Sequence, residues 1–289
     1  MASFQYVRPT SLDEACQLAA DHSGYAWLAG GTDFMVQLRL KRRNPSLAID
    51  VGRLEELRHI RLQDGLLAIG SAVTHTELVR SELVQRYAPA LAQAAGQVGS
   101  PQIRNRGTVG GNMGNASPAA DTVPALLAYG ADAVLASVAG RRRLPLSELA
   151  VGPGRLALKE SELIHEFLLE PQQAGEGACF QKVGKRKALA ISVVNGAVWL
   201  RLSGDVIQTA RIALGSVAAK TIRSYEAEAV LSHQVISQKT LEEAAELARQ
   251  SICPIDDVRS EAAYRKNVAF VVVKRALEEA WRQAKEGTM

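Results

Sequence analysis

Two double-glycine stretches, Ala29-Gly30-Gly31-Thr32-Asp33 and Thr108-Val109-Gly110-Gly111-Asn112, constrain this chain more than any other feature. Glycine lacks a Cβ, so consecutive glycines reach backbone angles closed to other residues and can aim several N–H groups at one point. The first stretch follows Tyr25-Ala26-Trp27-Leu28 and precedes Phe34-Met35-Val36-Gln37-Leu38, which predicts a loop joining a strand to a helix start. Helix starts attract phosphate oxygens. The second follows Ile103-Arg104-Asn105-Arg106 and precedes Asn115-Ala116-Ser117-Pro118-Ala119-Ala120-Asp121. It reads as a loop entering a helix led by Pro118, with Ser117 at the N-cap. A single double glycine is a turn or a crossing of two backbones; two of them flanked by small polar residues point to one shared ligand, a diphosphate.

Other signatures are missing. Neither stretch has the GxGxxG spacing of a dinucleotide-binding turn, and GxxxxGK[ST] occurs nowhere. The five histidines, His22, His59, His75, His165 and His233, form no i,i+4 pair and no HExxH, and GxSxG is absent. His75, after Val73-Thr74, reads as a solvated or capping residue, with a place on a cleft wall as the alternative. Cys16, Cys179 and Cys253 lie far apart with no CxxC, which argues for buried apolar thiols in a reducing compartment, the cytoplasm. The N-terminus carries no basic-then-apolar signal, and no stretch approaches the length of a membrane span.

Charge is mild, +4 from 34 basic and 30 acidic residues. The clusters Lys41-Arg42-Arg43, Arg141-Arg142-Arg143 and Lys185-Arg186-Lys187 hold no aromatic residue, so a nucleic-acid interface is not indicated. The first reads as a helix end and the second as a hairpin rim. Ser11-Leu12-Asp13-Glu14 has the form of a capping box opening a helix toward Ala20. Strands are expected at Tyr25–Leu28, Ala48–Val51, Leu66–Ile69, Ala133–Val138, Ile191–Leu200 and Gln208–Leu214, and helices at Thr76–Val84, Pro89–Val98, Leu241–Arg249 and Tyr264–Ala284. The polar run Pro171-Gln172-Gln173-Ala174-Gly175-Glu176-Gly177 is a boundary, and the α+β chain divides into 1–58, 59–173 and 177–285.

Four segments together resemble the FAD-binding medium subunits of molybdenum hydroxylases, the family of xanthine dehydrogenase, aldehyde oxidase and aerobic carbon monoxide dehydrogenase. Ala29 to Phe34 is similar to the family's AGGTDL loop and Thr108 to Asp121 to its TIGGNIANASPAAD loop, with Met113-Gly114 departing from the usual pair. Phe180-Gln181-Lys182-Val183-Gly184-Lys185-Arg186 resembles its F-x-K-x-G-x-R strand, and Asp257-Val258-Arg259-Ser260 with Tyr264-Arg265 its C-terminal D-x-R-x-S-x-x-Y-R segment. The resemblance implies a two-lobed FAD-binding domain of the PCMH/vanillyl-alcohol-oxidase-like type, followed by a C-terminal α+β domain with a small antiparallel sheet.

By the same resemblance, Trp27, Leu28, Ala29, Gly30, Gly31, Thr32, Asp33 and Phe34 wrap the diphosphate and adenosine of FAD. Thr108, Val109, Gly110, Gly111 and Asn112 supply backbone and side-chain donors to the diphosphate and ribityl chain, with Ser117 nearby. Asp121 accepts from a cofactor hydroxyl, Ile164 gives a main-chain contact, and Lys182 lies beside the ring, where a cation favours the reduced anionic flavin. The four-cysteine iron-sulfur insert of some relatives is absent, and no residue is nominated as catalytic or metal-ligating. The implied partners are a molybdopterin-binding large subunit and a [2Fe-2S] small subunit, with NAD or another acceptor. The rival readings are a self-sufficient flavin oxidoreductase and an assembly scaffold without FAD.

Overall fold

The computed structural model describes residues 4–186 and 188–286, so Lys187 of the third basic cluster and the extreme termini lie outside the described residues. The chain opens with β1 (Gln5–Val7), α1 (Leu12–Asp21), β2 (Tyr25–Leu28), α2 (Phe34–Arg39) and β3 (Leu47–Asp50). These strands form a parallel sheet in the order β1-β3-β2. Parallel neighbours need crossovers, which α1 and α2 supply. Leu12, Ala15, Cys16 and Ala19 recur at helical spacing and seat α1 on Leu47 and Ile49. The Ser11 hydroxyl accepts from Glu14 N at 3.1 Å, as a cap should. The reciprocal half of the expected capping box is diverted: the Glu14 carboxylate takes the Thr10 N–H and hydroxyl, both at 2.7 Å.

The second unit contains β4 (Ile60–Gln63), β5 (Leu66–Gly70), α3 (His75–Arg80), α4 (Glu82–Tyr87), α5 (Pro89–Gly96), α6 (Pro101–Arg104), α7 (Val109–Gly114) and α8 (Thr122–Ala128). There follow β6 (Asp132–Ser137), β7 (Gly140–Pro145), α9 (Leu146–Leu149), β8 (Ala150–Gly152), β9 (Arg155–Leu156) and β10 (Leu163–Leu169). The antiparallel order β4-β5-β10-β6-β7 puts the last strand in the middle. The single helix expected over 76–84 is two, because Ser81 both ends α3, its N–H on Glu77 O at 2.9 Å, and caps α4, its hydroxyl accepting from Val84 N at 3.3 Å. Arg141 to Arg143 belong to the edge strand β7, beyond the rim where the sequence put them.

The second glycine stretch also departs from expectation. Residues 109–114 are helical, with the Thr108 hydroxyl accepting from Gly111 N at 3.0 Å. Pro118 leads only a turn, in which the Ser117 hydroxyl accepts from Ala119 N at 3.2 Å, and the next helix starts at Thr122. Ser117 is therefore a turn-former here, competing locally with helix formation.

The third unit is β11 (Glu176–Gly184), β12 (Ser192–Ser203), β13 (Val206–Gly215) and β14 (Ile222–Arg223), an antiparallel sheet in chain order. It carries α10 (Tyr225–Leu231), α11 (Gln238–Gln250) and the 25-residue α12 (Ala262–Glu286). The polar run starting at Pro171 connects β10 to β11, with its last two residues, Glu176 and Gly177, already in β11, but the core does not stop there. Ala178, Phe180, Ala197, Trp199 and Ala213 join the apolar cluster built on α5 and α8. Arg265, 2% exposed, donates to Val193 O, Ser216 O and Asp257 Oδ1 at 2.7, 3.0 and 2.7 Å, which ties the start of α12 to the sheet.

Candidate functional site

The two glycine stretches meet. A Cβ at Gly30 would sit 1.9 Å from Arg106 O and 2.9 Å from Gly107 Cα, so only glycine lets the first loop cross the backbone leading into the second stretch. Between them runs a cleft of about 680 Å³, within the range of small-molecule and cofactor sites. Of the residues singled out from sequence, Trp27, Ala29, Gly30, Gly31, Thr32, Asp33 and Phe34 line it from the first lobe. Thr108, Gly110, Gly111, Asn112 and Ile164 line it from the second. Ile164 is carried there by β10, which bulges at His165, so that Ile164 pairs with Leu135 and Glu166 with Val134.

The backbone donors divide unequally. The N–H groups of Gly30, Gly31, Thr32 and Asp33 have no acceptor among the described residues. Those of Val109, Gly110 and Asn112 bond Val73 O, Ser71 O and Thr108 O at 2.9, 2.8 and 2.9 Å, and that of Gly111 bonds the Thr108 hydroxyl. Of the second stretch's expected backbone donors, only the Thr108 N–H has no acceptor among the described residues, because the helical turn and its seat on Ser71 and Val73 engage the other four. Side-chain donors remain there. Asn112 uses only its Oδ1, which accepts from the Thr122 hydroxyl at 2.7 Å and Thr122 N at 3.3 Å.

Five nominated residues stand off the cleft wall. Leu28 sits in β2, and Val109 is wholly buried in the core. Ser117 is in the turn already described. Asp121 and Lys182 pair with each other, Nζ to Oδ2 at 2.6 Å, and the Asp121 Oδ1 also accepts from the Ser192 hydroxyl at 2.5 Å and Asn195 Nδ2 at 2.8 Å. Their side chains are only 7% (Lys182) and 8% (Asp121) exposed. This cluster joins the end of the second glycine segment to β11 and β12, so the carboxylate already holds three protein donors. Lys182 opens onto a second cavity of about 460 Å³, lined by Gln97, Val183, Gly184, Arg186, Ala188 and their neighbours. Gln97 adjoins Val98, which lines the first cavity, so the two share the end of α5.

Sequence reading missed several wall residues. Arg43 and Lys159 bring cations to the cleft, Ser71 and Asn115 bring polar groups, and Glu162 brings a carboxylate. Glu162 accepts from Arg142 Nε and Nη2 at 2.6 and 2.8 Å and from Lys159 N at 2.6 Å, and the Arg142 contact holds it below the usual carboxylate range. Trp27 Nε1 donates to Glu162 O at 3.0 Å, and the Tyr25 hydroxyl accepts from Ser161 N at 3.1 Å, closing this wall onto β2. His75 also lines the cleft and is 2% exposed, not solvated. Burial, with Arg104 nearby, pushes it down to about 4, so it is neutral. No signal in one sequence tells a buried histidine after Val-Thr from an exposed one.

A groove offering four unpaired backbone N–H groups, with a second wall of glycine and small polar residues, fits an elongated diphosphate-containing ligand. The family description "FAD binding domain in molybdopterin dehydrogenase" matches residues 2–169. The chain belongs to this family. The description "CO dehydrogenase flavoprotein C-terminal domain" matches residues 179–280. The xanthine dehydrogenase FAD-binding subunit of Escherichia coli O157:H7 is 34% identical over 277 residues, covering 95% of each chain. The carbon monoxide dehydrogenase medium chain of Hydrogenophaga pseudoflava is 33% identical over 279 residues, covering 96% of this chain and 97% of that one. A solved structure of that organism's carbon monoxide dehydrogenase superposes with a TM-score of 0.94 over 97% of this chain and 98% of that chain. This FAD-binding subunit of the molybdenum hydroxylase family thus carries its cofactor motif on the joint between two lobes. FAD is its cofactor.

Proposed function

We propose that this chain is the electron-transfer subunit of a molybdenum hydroxylase complex, receiving electrons from iron-sulfur clusters of a small partner and passing them to NAD or another acceptor. Substrate oxidation then belongs to a molybdopterin-binding large partner. The observation that carries this reading is the cleft itself: unpaired backbone donors on one wall, and no paired acid and base among its titratable residues. Glu162 is engaged by Arg142, and His75 is buried and neutral. FAD supplies the two-electron to one-electron exchange; the protein supplies hydrogen-bond donors, orientation and exclusion of water.

In this reading Trp27 to Phe34 hold the adenosine and diphosphate side, while Thr108, Gly111 and Asn112 face the ribityl chain. Ile164 shapes the wall. Asp121 and Lys182 reach the cofactor only by sharing or opening their present ion pair, with Ser117 shaping the turn before them. In the same reading, residues 1–58 and 59–173 are the two lobes that share FAD, and 177–285 is the C-terminal domain that closes over the ring. No helix among the described residues is long and apolar enough to cross a membrane, and the cytoplasm is the compartment assigned. Native purification with its partners, followed by a visible spectrum and metal analysis, tests the assignment. Flavin with molybdenum and iron is the expected result. Absence of flavin overturns the cofactor role, and rapid substrate turnover by the isolated chain overturns the division of labour.

A further inference from the structure

We propose that His75 is a cofactor-binding residue, its imidazole donating a hydrogen bond to an oxygen in the diphosphate–ribityl part of bound FAD. The proposal rests on the FAD reading of the cleft and adds a side chain that the glycine motifs do not contain.

His75 is the first residue of α3, where its own N–H bonds Gly107 O at 3.0 Å. The Cδ2–Nε2 edge of its ring lies against Gly107, 3.2 and 3.5 Å from where a Cβ would stand. Gly107, Ser71, Thr108 and Gly110 line the same part of the cleft. The ring is therefore set at the junction of the two glycine stretches, where the central portion of an elongated dinucleotide must pass.

Neither ring nitrogen of His75 has a hydrogen-bond partner among the described residues, and Nδ1 is sealed within protein. Two other histidines are paired: His59 Nε2 with Glu166 Oε2 at 2.8 Å, and His22 Nδ1 with Leu18 O at 2.9 Å. His165 shares the sealed Nδ1 but does not line the cleft. A buried polar group left unmatched opposes folding. Its retention on a ligand-facing wall is accounted for if the missing partner arrives with the ligand. Being neutral, the ring keeps one N–H and one lone pair. Protonation at Nε2 leaves the sealed Nδ1 as an unused acceptor, the less costly of the two orphans.

The test compares the full chain, purified with its partners and stripped of FAD, as wild type, His75→Leu and His75→Gln. Two quantities are read: FAD affinity by flavin fluorescence, and thermal unfolding without FAD. Leucine fills the site without a donor and should weaken FAD binding by roughly tenfold to a hundredfold, while the FAD-free protein melts no lower than wild type. Glutamine restores a donor and should recover most of the affinity. If His75→Leu binds FAD as wild type does, or if both variants melt lower with affinity unchanged, His75 is a packing residue and the proposal fails. Wild type that takes up no FAD overturns the cofactor reading along with it.

Discussion

The two double glycines look alike in sequence and do different work. At Gly30-Gly31 the backbone is irregular, and four successive N–H groups from Gly30 to Asp33 have no acceptor among the described residues. At Gly110-Gly111 it is a capped helical turn whose N–H groups are spent on Ser71, Val73 and Thr108. The first stretch is a set of donors. The second is a close-packed wall: a Cβ at Gly110 would lie 2.4 Å from Ser71 Cβ, whereas Gly111 faces the cleft with only Thr108 Oγ1 near, at 3.0 Å. A glycine pair therefore marks close approach, and what approaches, ligand or protein, is set by where the neighbouring carbonyls lie.

Substitutions separate these roles. The largest effect is expected from Gly30→Ala, whose methyl would overlap Arg106 O at 1.9 Å. Backbone on both sides must shift, so a loss of about 3 kcal/mol or more is expected, read by denaturant unfolding of the FAD-free protein; a loss under about 1 kcal/mol would mean the lobes do not cross there. Gly111→Val should abolish FAD retention while the C-terminal unit stays folded, because the branched chain enters the cleft. Flavin absorbance after gel filtration checks it, and stoichiometric FAD in that variant breaks the comparison.

A pH titration is the next contrast. His75 and His165 are both pushed down to about 4 by burial from an ordinary value of 6.5. Between those values the unfolded chain binds more protons than the folded one, so stability falls as pH drops from about 6.5 toward 4. In the FAD-free protein His75→Leu should shallow that slope; an unchanged slope would mean that His75 is not neutral and buried. The smallest effect is Gly114→Ala. Nothing lies within 4 Å of its would-be Cβ, and its φ is not in the left-handed region. A gain of roughly 0.5–1 kcal/mol is expected from the restricted unfolded chain, and a loss of that size would reveal a packing constraint.

Much of the fold was legible. Tyr25–Leu28 is a strand with the bounds its apolar run implied, and α12 covers the helix expected at Tyr264–Ala284. The break at Ser81 was hidden because Leu78 and Val84 continue an apolar pattern across it, while the hydroxyl that makes the break is one serine among many. The Asp121–Lys182 pair and the Arg142–Glu162 pair link residues 61 and 20 apart, and neither spacing has a local signature. Arg43 read as a helix-end cation, yet it lines the cleft, since α2 stops at Arg39 and the chain turns back through Leu40 and a left-handed Lys41.

The order of residues alone determined that two stretches poor in side chains would be available, that each would follow or begin a regular element, and that the chain would be α+β. These depend on local sterics and periodicity, which nearest neighbours in the chain dictate. Tertiary structure decided which stretch keeps its donors, which cleft-lining histidine lacks a hydrogen-bond partner among the described residues, and which carboxylates are already spent. Those outcomes depend on where distant carbonyls and cations come to rest, as Ser71 O does beneath Gly110 and Lys182 beside Asp121.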